Sequence, residues 1–159
     1  MNHTKKLVRG GVIAALYVVL TLVSASLGLA SGVIQLRLSE MLCVLPFFCA
    51  EAVPGLFIGC LLANLLTGAP IWDILFGSLA TLLGAVGARL LRRWVYLVPW
   101  PTVIANALII PPVLIFAYGV PDAYWFLFAT VGAGEVLSAV AFGIPLLLIL
   151  RKRYKGLFT

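Results

Sequence analysis

Apolar residues in this chain fall in long blocks, separated by short stretches in which charges, glycine and proline gather. Several blocks reach or approach the roughly 20 residues that a helix needs to cross a hydrocarbon layer about 30 Å thick. The pattern predicts an all-α integral membrane protein, a compact bundle of six transmembrane helices forming a single domain over residues 1–159. The expected crossings are 7–29, 38–50, 53–67, 72–91, 96–118 and 123–150.

The count turns on 38–67, which reads either as one tilted helix or as a hairpin of two short helices around "CAEAVPG". Basic residues decide between them, because Lys and Arg in short loops favour the cytoplasmic side. Lys5, Lys6 and Arg9 open the chain, Arg89, Arg92 and Arg93 stand in its middle, and Arg151, Lys152, Arg153 and Lys155 close it. A single crossing strands the second and third clusters outside; a hairpin brings all three in, with both termini cytoplasmic. Glu51 and Pro54 suit a helix start, where a carboxylate meets free N–H groups and proline loses no bond. At about 1.5 Å per residue the two short helices barely span, which favours burial among neighbours. Outward loops are then expected at 30–37, 68–71 and 119–122.

Composition sharpens this picture. The chain is 64% apolar and 10% charged, against roughly a quarter charged in soluble domains. No soluble domain remains. The net charge of +6 is dispersed between apolar runs rather than spread over one water-facing surface, so the expected partner is a lipid bilayer and not nucleic acid. The opening segment mimics a secretory signal, but its apolar part, Leu7 to Ala30, is long and leads into more membrane, so it is expected to stay as the first helix. Cys43, Cys49 and Cys60 lie within apolar runs without metal or dithiol spacing. With no histidine in a membrane block, no phosphate loop and no Ser-His-Asp set, the chain is expected to be no enzyme, to hold no metal and to bind no cofactor. An ATP-driven process would need its ATPase on another chain.

Polar chemistry inside the membrane is sparse. Of five carboxylates, Asp73, Asp122 and Glu51 stand before apolar runs, where a short acid can cap a helix. Glu135 lies deep within the sixth run, where an ionised group costs a few kcal/mol unless it faces a partner or a wet cavity. It either contacts a ligand or bonds to another helix. Asn64 and Asn106 carry the same two alternatives. Pro111 and Pro112 are expected to interrupt the fifth helix, which membrane proteins tolerate beside protein or a cavity. Arg37, alone among the basic residues on the outside, stands three positions before Glu40. The two either neutralise each other or join Asn64, Asn106 and Glu135 in an outward polar pocket. Trp72 and Trp125 fit an aromatic interfacial belt with Tyr118 and Tyr124, or stack on a flat ligand. Gly10, Gly11, Ala14 and Ala15 form overlapping small-xxx-small pairs suited to close helix packing.

The run 34–85, with "R-x-S-E" before "LP", then "EAVPGLFIGCLLANLL" and "DILFGSLATLL", resembles the queuosine-precursor transporter (QueT) family, substrate-binding S components of energy-coupling factor (ECF) importers. Met41 departs mildly, standing where a smaller residue is expected. The resemblance implies capture of a deazapurine, such as 7-aminomethyl-7-deazaguanine or queuine, outside a bacterial plasma membrane. It implies a transmembrane T component and two cytoplasmic ATPases as partners, with ATP used by those ATPases. It also implies docking through the first helix, at Gly10, Gly11, Ala14 and Ala15. A guanine-like edge offers N–H donors to a carboxylate, and an ammonium wants a second acid, so Glu40 and Glu135 can share those tasks while Asn64, Asn106 or Arg37 serves the carbonyl. The competing expectations are an S component for another flat vitamin and a proton-coupled transporter using Glu135.

Overall fold

The computed structural model describes residues 3–29 and 34–153, and all its regular structure is helical. Helix α1 spans His3–Ser26, and a 3-10 helix runs over Leu38–Phe47. It is followed by α2, Ala52–Leu66, α3, Asp73–Leu90, α4, Val95–Tyr118, and α5, Tyr124–Arg153. Four of these, α1, α3, α4 and α5, are long and apolar enough to cross a membrane. Their outer faces carry bare hydrocarbon, with Phe116 87%, Leu7 77% and Leu90 74% exposed, the surface expected of a protein solvated by lipid.

The shorter pair of elements falls on the two halves of the expected hairpin, but the first is wound differently from a simple α-helix. At about 2.0 Å of rise per residue, ten residues of 3-10 helix extend about 20 Å, against about 15 Å if wound as α. Residues three apart also align in this winding, which puts Glu40 and Cys43 on one line. The segment is the centre of the bundle: Ser39, Glu40, Leu42, Cys43, Val44, Leu45 and Pro46 are all buried.

Close packing of α1 on α2 rests on two glycines. A Cβ on Gly55 would lie 2.7 Å from the Gly10 carbonyl oxygen, and one on Gly59 would lie 2.8 Å from the Tyr17 Cβ and 3.0 Å from the Ala14 Cα. Ala14 therefore faces inward, 7% exposed. Gly11, with open space around it, and Ala15 face outward.

Helix α4 runs without a break across Pro111 and Pro112, contrary to the expected interruption. The carbonyls that lose their i+4 donors lie on α4 itself; Pro111 is fully buried, and Pro112 lines an apolar groove on the bundle. Irregularity appears elsewhere, as π-helical turns over Asp73–Gly77 and Val136–Phe142. The second ends just before Pro145, whose missing N–H and steric conflict with the carbonyl four residues earlier disfavour an α turn there.

The helix ends sort by charge. Cys49 lies within electrostatic reach of Glu51, Arg9 and Arg89, and Val8 and Arg9 share a cavity wall with Leu146 and Leu150. The beginning of α1, the beginning of α2 and the ends of α3 and α5 thus meet at one end of the bundle, with Arg92, Arg93 and Arg151–Arg153 next to them. There the Arg89 guanidinium donates to the Pro46 carbonyl at 2.9 Å, tying α3 to the 3-10 helix. Lys155 and part of the 30–37 loop lie outside the described residues.

Candidate solute-binding site

At the opposite end, the polar residues converge. Glu40 is 1% exposed and both of its oxygens are engaged: the Tyr17 hydroxyl donates to Oε1, and the Cys43 thiol donates to Oε2 at 3.0 Å. The arrangement follows from α1, where Tyr17, Thr21 and Ser24 form a polar stripe at helical spacing. Each meets the 3-10 segment in turn: Tyr17 at Glu40, Thr21 at the Ser39 hydroxyl (2.9 Å), and Ser24 accepting from the Leu38 N–H (2.9 Å). Burial of so many polar atoms is tolerated because nearly all are paired.

Across the bundle, the Ser138 hydroxyl accepts from the Arg37 N–H at 3.2 Å. Gly134 supplies the necessary closeness, since a Cβ there would lie 2.1 Å from the Gln35 carbonyl oxygen. Ser138 belongs to the π-helical segment that begins directly after Glu135. Chain segment 35–38 is thereby clamped between α1 and α5, and Arg37 sits within electrostatic reach of both Glu40 and Glu135.

Gln35, Arg37, Asn106, Ile110, Val131 and Glu135 enclose a cavity of about 30 Å³, room for about one water. Glu135 is 9% exposed, and its Oε2 has no hydrogen-bond partner among the described residues. A buried carboxylate oxygen left unpaired beside a guanidinium and two amides is a ready acceptor for a ligand N–H. The Asn106 amide donates to the Thr102 carbonyl at 3.2 Å, which leaves its oxygen without a bond inside its own helix.

The cluster thus joins Arg37, Asn106 and Glu135, with Glu40 beneath them. The other candidates lie apart. Asn64 donates to the Asp73 carbonyl (3.2 Å) and weakly to the Cys60 sulfur (3.6 Å), a link between α2 and α3. Trp72 stacks on Phe76 with ring centres 6.0 Å apart and lines an apolar groove of about 600 Å³ with Phe116 and Pro112. Trp125 is 74% exposed and packs edge-on against Tyr124 and Phe128. No side-chain cap bond closes the helix starts at Glu51 and Ala123, so the carboxylates expected to cap there do other work or none. Gln35, Tyr17, Thr21 and Ser24 are absent from the candidates that composition alone suggested. For the last three a signal exists, polar side chains spaced four and three apart on an otherwise apolar helix, which implies a buried polar seam rather than a lipid-facing one.

Among the described residues, no group of three or more His, Cys, Asp and Glu side chains is placed to hold a metal ion.

Comparison with known proteins adds a lineage to this geometry. Over 81 residues the chain is 36% identical to the protein named queuosine precursor transporter QueT of Lactococcus lactis subsp. cremoris (strain MG1363), covering 51% of this chain and 47% of that one. The match therefore spans about half the length of that relative. No solved structure matches. The sequence profile of the QueT transporter family matches residues 7–152, through every helix that builds the polar cluster, and the chain belongs to that family of membrane transporters.

Proposed function

We propose that this chain is the substrate-binding S component of an ATP-driven ECF-type importer, and that it captures a queuosine precursor of the 7-deazaguanine type from outside a bacterial cell. The observation that carries the proposal is the unpaired Glu135 oxygen, buried against Arg37, Gln35 and Asn106. A 7-deazaguanine presents N–H and amino donors beside a carbonyl; Glu135 accepts from the donors, and Arg37, Gln35 or Asn106 serves the carbonyl. Glu40, with both oxygens engaged, lies within electrostatic reach of Arg37, balances its charge and offsets a ligand ammonium. The name of the Lactococcus relative points to the same solute class.

The basic end of the bundle faces the cytoplasm in this proposal, which puts the polar cluster toward the exterior. Both described chain ends then lie inside, and six crossings follow if the 3-10 helix and α2 count as one each. The partners are a T component and two cytoplasmic ATPases. Docking on them uses the outward face of α1 at Gly11 and Ala15, because Gly10 and Ala14 are turned toward α2.

A cavity of about 30 Å³ is far smaller than the roughly 300 Å³ at which ligand pockets begin. Loading therefore separates its walls, α4 and α5, and this is the closed form of the site. Binding of labelled 7-aminomethyl-7-deazaguanine to protein purified without partners tests the proposal. Glu135→Gln should weaken it more than tenfold, about 1.4 kcal/mol. Uptake into vesicles driven by a proton gradient without ATPases would instead favour Glu135 as a titrating carrier group.

A further inference from the structure

A second cavity lies against the first. It measures about 230 Å³ and is lined by Gln35, Val131, Leu114, Val120, Phe126, Leu127, Thr130 and Asp122, so that Gln35 and Val131 are walls of both. Asp122 is exposed, follows the end of α4, and has no hydrogen-bond or ion-pair partner among the described residues. A carboxylate left unpaired at the rim of a cavity, rather than capping the helix after it, is free to meet something that arrives from water.

Charge is distributed to match. The basic residues of α1, α3 and α5 gather at the far end, roughly 22 Å away along α1 if Arg9 and Ser24 mark the two levels. Near the cavities the described ionisable groups are Asp73, Asp122, Glu40 and Glu135 against Arg37 alone. Arg37 stands within electrostatic reach of Glu40 and Glu135 and of Asp73, one guanidinium against several carboxylates. The remaining field at this mouth is negative, and a negatively lined cleft with low-dielectric walls concentrates cations.

We propose that the outer cavity is a loading subsite for a flat solute bearing one ammonium group, with Asp122 drawing it in and Gln35 with Val131 forming the partition it passes to reach Glu135. The proposal rests on the binding function given above and adds the order of events and the steering role of Asp122. A residue that only steers acts on association and leaves the bound state alone.

The test measures association and dissociation of 7-aminomethyl-7-deazaguanine with wild-type and Asp122→Asn protein, at about 10 mM and about 1 M salt, where the screening lengths are about 30 Å and 3 Å. The same rates are taken for the 7-cyano analogue, which lacks the ammonium. Asp122→Asn should slow association of the aminomethyl compound at least about threefold at low salt, converge with wild type at high salt, and leave dissociation and the cyano compound unchanged. Asp122→Lys should slow it further. Equal association rates in wild type and both variants overturn the proposal while leaving the binding function standing. A slowing shared by the cyano compound, or confined to dissociation, overturns it too, since the effect is then steric. Wild-type protein that binds neither compound overturns both.

Discussion

Tyr17→Phe is the sharpest probe of the polar seam. The substitution keeps the ring and removes the hydroxyl that donates to Glu40. Tyr17 and Glu40 are each 1% exposed, so no water replaces the lost donor, and one carboxylate oxygen is left bare. Side-chain hydrogen bonds between membrane helices average about 0.6 kcal/mol. The acceptor here is a carboxylate, however, and bonds to charged groups contribute about 1.5–3 kcal/mol. The buried, charged case should prevail, giving a loss of about 2 kcal/mol in unfolding free energy, read by denaturant titration in detergent micelles. A cycle with Glu40→Leu, which removes the acceptor, separates this contact from general loosening. If Tyr17 acts through Glu40, its effect should fall below about 0.5 kcal/mol once the carboxylate is gone, since contacting residues are not additive. A Tyr17→Phe variant as stable as wild type, or one equally damaging in both backgrounds, would refute the assigned role.

Other perturbations follow from the same contacts. Gly59→Val should break the seat of α2 on α1, because even a Cβ meets Tyr17 and Ala14 at 2.8–3.0 Å; a loss above about 2 kcal/mol is expected for such overpacking, seen as poor recovery of folded protein by size exclusion. Arg89→Gln removes the donor to the Pro46 carbonyl and should cost about 1–2 kcal/mol in the same unfolding assay without changing solute affinity. Ala15→Leu, on an exposed face, should leave binding intact and abolish ATP-driven uptake when partners are co-expressed. Ala14→Leu, which points into α2, should destabilise the isolated protein instead.

Much of this molecule was legible as a string of residues. Blocks of apolar residues dictate helices wherever the backbone must bond to itself away from water, and the long spans α1, α3, α4 and α5 stand where those blocks stand. The same holds for the three basic clusters, whose described members gather at one end of the bundle, and for the depth of Glu135, which is 9% exposed. Other features were not legible, because they depend on how each helix is rotated about its axis and which neighbour it then meets. Gly10 and Gly11 are adjacent and chemically identical, yet only the structure turns one toward Glu51 and Gly55 and leaves the other in the open. Asn64 and Asn106 look alike in sequence, yet one bridges two helices and the other lines the cavity. The winding of Leu38–Phe47 is likewise a tertiary outcome, with Tyr17, Thr21 and Ser24 holding it from α1 and Arg89 from α3. Local hydrophobicity determines that a segment leaves water and roughly how long it is; only the packed bundle decides which of its faces meets another chain segment, because that choice is made by contacts between residues far apart in sequence.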